Sequence, residues 1–204
     1  ELTALIELLK KYGVPLASDE IHADFVYAPD RFVPVLSITR ENVLSFCAAS
    51  KTFNLAGLQQ ATCICPDERI LRAGNAQKAK AGVTGGNVFA LEGTRAAYNH
   101  GDAWLDGLMA YLAGNRDHLS ALVKELLPRA VMTPMTATYL AWLDLRAYGL
   151  DDKTLMDRTA KAGVLFTGGD FFGEGGSGFL RVNIGCPRHH ITEAIHRLAR
   201  ALEV

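Results

Sequence analysis

Two short apolar runs constrain this chain's fold more than any other feature. Val14-Pro15-Leu16-Ala17 ends in Ser18-Asp19-Glu20, and Val43-Leu44-Ser45-Phe46-Cys47-Ala48-Ala49 ends in Ser50-Lys51. Near-continuous apolar runs of this length read as buried strands, each delivering polar residues at its carboxyl end. A third run, Ala61-Thr62-Cys63-Ile64-Cys65, is closed by Pro66. Ahead of them, Leu2, Leu5, Ile6, Leu9 and Tyr12 recur at helical spacing, with Gly13 as the stop. Helix, strand, connection, strand and strand in that order predict an α/β sheet with covered faces. Ligands of such sheets sit beyond the carboxyl ends of strands, where Asp19 and Lys51 fall.

Farther along, residues 68–80 carry a polar helical pattern that Gly82-Val83-Thr84-Gly85-Gly86-Asn87 breaks. Residues 88–126 are again helical, with interruptions expected at His100-Gly101 and Gly114-Asn115, and this tract is expected to bridge two domains. The remainder predicts a strand over 138–145, a helix over 151–162 and a short strand over 164–166. A Gly-rich loop over 168–178, a strand over 179–184 and an amphipathic helix over 191–202 complete a compact α+β module. The resulting division is 1–100 and 101–204.

Composition excludes several classes. Across 204 residues, 21 basic side chains face 22 acidic ones, which argues against a nucleic-acid or membrane-surface partner. No apolar run approaches the roughly 20 residues needed to cross a bilayer. Cys47, Cys63, Cys65 and Cys186 form no C-x-x-C pair and read as free thiols of a reducing cytoplasm. His189-His190 lacks a third ligand nearby and reads as a helix-start surface pair, so no metal is expected. Trp104, Leu105 and Leu108 sit at the helical spacing of core residues. No G-x-x-x-x-G-K-[ST] pattern occurs, which excludes a P-loop; the Gly-rich segment reads as a flexible connection or a substrate lid. The opening Glu1-Leu2-Thr3 shows no signal peptide, and its lack of Met reads as a piece of something longer.

The chemistry concentrates at the strand ends. A lysine desolvated at the end of an apolar strand has a lowered pKa and becomes a nucleophilic amine able to form Schiff bases with carbonyls, pyridoxal phosphate included. Taken alone, Lys51 reads as a structural or surface-exposed lysine. Asp19 changes the weighing: it ends the neighbouring run, and pyridoxal phosphate needs a carboxylate against its pyridine nitrogen to keep the ring an electron sink. Its plainer reading is a helix or turn cap. His22, three residues on, can reach the same pocket, or be structural.

Ser18-Asp19-Glu20-Ile21-His22, followed by Ser50-Lys51-Thr52-Phe53-Asn54-Leu55-Ala56-Gly57, closely resembles the fold-type I pyridoxal-phosphate enzymes of the class I/II aminotransferase family. The segments Thr138-Tyr139-Leu140-Ala141-Trp142-Leu143-Asp144 and Phe179-Leu180-Arg181-Val182-Asn183-Ile184-Gly185-Cys186-Pro187 match the same family in the same order. The closest subgroup looks like the MalY/PatB-type cystathionine β-lyases, which are C–S lyases.

The resemblance implies the C-terminal part of a large cofactor-binding domain, with a mainly parallel sheet and helices, followed by a C-terminal α+β small domain. It implies pyridoxal 5'-phosphate as cofactor, Lys51 as Schiff-base lysine and proton-transfer base, and Asp19 on the pyridinium nitrogen. His22 stands where the family has a Tyr or His near the phenolic oxygen, and Arg181 would clamp the substrate α-carboxylate. Ala48 and Gln59 replace a serine and an arginine that usually hold the cofactor phosphate, leaving Ser50 as a candidate hydroxyl there. The implied activity is a C–S β-lyase acting on sulfur-containing amino acids. The alternatives are an aminotransferase of the same fold, and a catalytically incompetent fragment or binding module. A cytoplasmic homodimer is the implied assembly. Family members carry an additional N-terminal half, so an unpaired sheet edge and an open apolar face are expected.

Overall fold

The computed structural model describes residues 1–83 and 85–202; Thr84 of the expected break, and residues 203 and 204, lie outside the described residues. The chain divides into two compact units, Glu1–Asp106 and Gly107–Val204.

The first unit opens with α1 (Leu2–Lys11), which ends where Gly13 adopts φ 64° and leads the chain into β1 (Leu16–Asp19). β1 pairs in parallel with β2 (Val43–Cys47), Asp19 opposite Phe46. β2 then pairs antiparallel with β3 (Thr62–Ile64), so this three-stranded sheet has one parallel and one antiparallel ladder. β2 hands directly into α2 (Ala49–Thr52), because Ala48 is extended and Phe53 N already donates to Ala49 O. α3 (Glu68–Lys80) is capped by Asp67, whose carboxylate accepts from Arg69 N and Ile70 N, and α4 (Val88–His100) by Asn87 through Phe89 N. The expected break at His100-Gly101 is present: a side chain at Gly101 would strike the Phe53 ring.

α5 (Asp102–Leu126) runs without interruption through Gly114-Asn115, where a break was expected. Both residues serve packing instead. Asn115 is fully buried; its amide donates to Ile184 O and Cys186 O, 2.9 Å each, while its Oδ1 accepts from Arg188 Nε at 3.0 Å. The Arg188 guanidinium lies where a Gly114 Cβ would project. Trp104 also departs from the core expected of it. It is half exposed, its ring 5.6 Å from Phe53.

The second unit carries β4 (Val131–Met132), β5 (Leu140–Asp144), α6 (Asp152–Lys161), β6 (Thr167–Gly168), β7 (Phe179–Asn183) and α7 (Arg188–Leu202). Its antiparallel sheet has the order β4-β5-β7-β6. The strand expected at 164–166 forms instead at Thr167–Gly168, the residues that pair with Arg181 and Leu180. Alternation splits the faces: Ala141, Leu143, Leu180 and Val182 are buried, as are Ile191, Ile195, Leu198 and Leu202 of α7, while Trp142, Phe179 and Arg181 occupy the half-exposed face. The Gly-rich segment is a close backbone crossing, not a loose connection: a Cβ on Gly169 would collide with Gly176 O, and one on Gly176 with Gly169 O.

Candidate active site

β1 and β2 run side by side, so their carboxyl ends deliver Asp19 and the Ser50-Lys51 turn to one end of the sheet. Asp19 is exposed, with one carboxylate oxygen accepting from Ile21 N at 3.2 Å. Lys51 is exposed, and among the described residues no carboxylate lies within ion-pair distance of it. The desolvation expected of this lysine is therefore not supplied by the described residues. Ser50 is half-buried in the first turn of α2.

His22 senses both groups. Burial pushes its imidazole below the ordinary range, the Lys51 cation pushes it further, and Asp19 pulls it back up. A neutral imidazole can donate or accept a hydrogen bond without adding charge.

The scaffold beneath these groups went unread in the sequence. The Glu20 carboxylate accepts from Ser18 Oγ (3.1 Å), the buried Ser45 Oγ (2.9 Å) and Val35 N (2.9 Å), tying the connection after Asp19 to β2. Thr52, fully buried beside Lys51, donates to Asp24 Oδ2 at 2.7 Å, which staples the lysine turn to the His22 turn. Ser45 in the middle of an apolar run was the one available signal.

Arg181 belongs to the second unit. It lies on β7 opposite Trp142 on one side and Thr167 on the other, and donates through Nη2 to Thr167 Oγ1 at 3.3 Å. Its guanidinium carbon stands 4.8 Å from the Phe172 ring centroid. Nearby, burial pushes the Tyr139 phenol up and the Arg181 charge draws it back down. No carboxylate of the described residues comes within ion-pair distance of Arg181, which disfavours a surface salt bridge as its purpose. Elsewhere, His189 and His190 are exposed at the start of α7, all four cysteines are free, and among the described residues no group of side chains could hold a metal.

Asp19 at the end of β1 and Lys51 in the turn that follows β2 stand on the same sheet. The chain belongs to the family "Aminotransferase class I and II", whose model matches residues 1–198. It is 39% identical to cystathionine beta-lyase PatB of Bacillus subtilis and 33% identical to protein MalY of Escherichia coli, in each case over 99% of this chain. Those matches cover 53% and 52% of the two relatives, so the chain spans about half their length. Its fold is that of fold-type I enzymes. Cystalysin of Treponema denticola, whose structure contains pyridoxal 5'-phosphate, superposes with a TM-score of 0.93 at 29% identity, over 99% of this chain and 52% of that one. A PLP-bound C–S lyase of Staphylococcus hominis does so with a TM-score of 0.88 at 30% identity, over 99% and 53%.

Proposed function

We propose that this chain carries the lysine, the ring-nitrogen carboxylate and the carboxylate-binding arginine of a pyridoxal-phosphate-dependent C–S β-lyase of the cystathionine β-lyase type. The observation that carries the reading is the delivery of Asp19 and Lys51 to one end of the sheet by adjacent parallel strands.

The groups present fit the cofactor at two ends. Asp19 has a carboxylate oxygen beyond its single backbone contact, and Lys51 an exposed amine. For the phosphate, Ser50 offers a hydroxyl, whereas positions 48 and 59 offer no cation. When bound, pyridoxal phosphate supplies an electron sink for the pair left at Cα. Asp19 would hold the proton on the pyridine nitrogen, and His22 would offer a hydrogen bond near the phenolic oxygen. Arg181 binds the α-carboxylate through its planar fork. Lys51 would take the α-proton and return it to the sulfur as the C–S bond at Cβ breaks, so that a thiol leaves and the remaining aminoacrylate adds water to give pyruvate and ammonia.

An aminotransferase would use the same residues; pyruvate release from cystathionine without a keto-acid acceptor separates the two. A cofactor titration of this chain separates both from a fragment that only binds or assembles. A homodimer and a cytoplasmic location, both implied by the family resemblance, complete the proposal. Borohydride reduction of the cofactor-loaded protein, followed by peptide mapping, is the test: a pyridoxyl group on Lys51 supports the assignment, and a label on another lysine with Lys51 unmodified overturns it.

A further inference from the structure

The half-exposed face of the second unit's sheet carries a ladder of rings with an arginine at each end. Arg146 lies 4.7 Å from the Phe179 ring centroid, Phe179 stacks on Trp142 at 5.4 Å and 18°, and Trp142 meets Phe172 edge-on at 5.5 Å and 75°. Phe172 in turn faces the Arg181 guanidinium at 4.8 Å. The two ends differ in one respect. Arg146 is neutralised by Asp144, which accepts from Nε at 2.9 Å and Nη2 at 2.6 Å. Arg181, at the other end, has only the neutral Thr167 hydroxyl and no carboxylate among the described residues.

Phe172 is not there by slack. It ends the 3-10 turn Gly169–Phe172, whose start crosses Gly176 closely enough to require glycine at both positions. The far side of the same loop is tied to α6, because Asp152 accepts from Ser177 Oγ and Gly178 N at 2.7 Å each. Phe172 itself remains 47% exposed, more than a ring placed only to fill a core.

We propose that Phe172 is a positioning residue for Arg181: the ring face and the Thr167 hydroxyl fix the guanidinium plane, leaving its remaining N–H donors aimed outward for a substrate carboxylate. The proposal rests on the reading of Arg181 as the carboxylate anchor. Phe172 contributes through the orientation and charge of the arginine, and takes no part in bond breaking. A ring quadrupole holds a cation more weakly than a carboxylate does, so it orients Arg181 without satisfying it. Asp144 removes that capacity from Arg146.

The test uses the full 204-residue chain, with the Arg181 side-chain Nε–H followed by nuclear magnetic resonance and sodium propionate as the carboxylate probe. In the unaltered chain the proton should be shifted upfield by the ring, and propionate should move it while propylamine does not. Phe172→Leu keeps an apolar side chain but removes the quadrupole. It should abolish the ring shift, increase the motion of the Nε–H bond and weaken propionate binding about three- to tenfold, the range a cation–π contact supplies. Phe172→Tyr should restore all three. A merely structural phenylalanine would lower the unfolding midpoint without selectively changing the propionate response. Equal propionate affinity in Phe172→Leu and the unaltered chain overturns the positioning role. A propionate response that survives Arg181→Lys, or is absent in the unaltered chain, overturns the carboxylate-anchor reading beneath it.

Discussion

Leu143, Leu180, Ile184, Ile195 and Leu198 of the second unit are essentially inaccessible, whereas in the first unit's sheet Phe46 and Ile64 stand 37% and 44% exposed. The first unit buries Phe25, Tyr27, Val35 and Val43 but otherwise relies on alanines, Ala48, Ala49 and Ala90. Among the described residues its β1 and β3 are edge strands, and all three β3 residues are exposed. A cleft of about 450 Å³ opens over β2, β3 and α3, lined by Leu44, Phe46, Cys63, Ile70 and Leu71. The contrast separates two tasks. One unit closes its own core and presents an arginine on the opposite face; the other commits its strand ends to polar groups and holds them with hydrogen bonds more than with apolar burial.

That contrast can be broken experimentally, beginning with the largest effect. Lys51→Ala should abolish pyridoxyl labelling and lower turnover of the cofactor-loaded protein by a factor on the order of 10³ or more, as loss of a general base does. Because Lys51 is exposed, the same change should leave the urea unfolding curve nearly unmoved. A large stability loss would mean that the lysine is structural.

Leu143→Ala, at the centre of the second unit's sheet, should cost about 2–5 kcal/mol in urea unfolding, for lost transfer energy plus a cavity. The equivalent truncation at exposed Leu8 of α1 should stay within about 0.5 kcal/mol. Similar costs at the two positions would erase the distinction between the units.

Asn115→Leu removes two donors to buried carbonyls and an acceptor for Arg188. A destabilisation of about 2–4 kcal/mol is expected from the stranded polar groups; calorimetry showing less than about 1 kcal/mol would make Asn115 dispensable to the packing of α5.

The smallest effect is electrostatic. The His22 resonance should titrate below the ordinary imidazole value, higher after Lys51→Ala and lower after Asp19→Asn. An imidazole neutral in the fold and protonated in the unfolded chain costs stability as pH falls below about 6.5. The first unit should therefore loosen slightly on acidification, and less so in His22→Asn. A His22 midpoint at or above the ordinary imidazole value would contradict the burial of His22 and its placement near Lys51.

Local signals account for what was legible. α3 spans Glu68–Lys80 as its pattern predicts, and α1, β2 and β7 match their apolar runs within a few residues, because period and capping chemistry are properties of neighbours in sequence. Gly114-Asn115 misled for the same reason. The pair has the composition of a helix end, but its partners are Arg188, Ile184 and Cys186, some 70 positions away.

The sequence by itself determined the alternation of helices and strands, the placement of Asp19 and Lys51 at or just past the carboxyl ends of β1 and β2, and a motif order sufficient to identify the family. Tertiary structure alone decided what holds those groups. Glu20 reaches Ser45 and Val35, Thr52 reaches Asp24, and Phe172 reaches Arg181 across gaps that no periodicity encodes. It also decided how the two arginines differ: Asp144 pairs with Arg146, while among the described residues no carboxylate lies within ion-pair distance of Arg181. Helix and strand propensities act between neighbours, whereas the pairing of a buried or half-buried polar group depends on which distant groups the packed chain brings within about 3 Å.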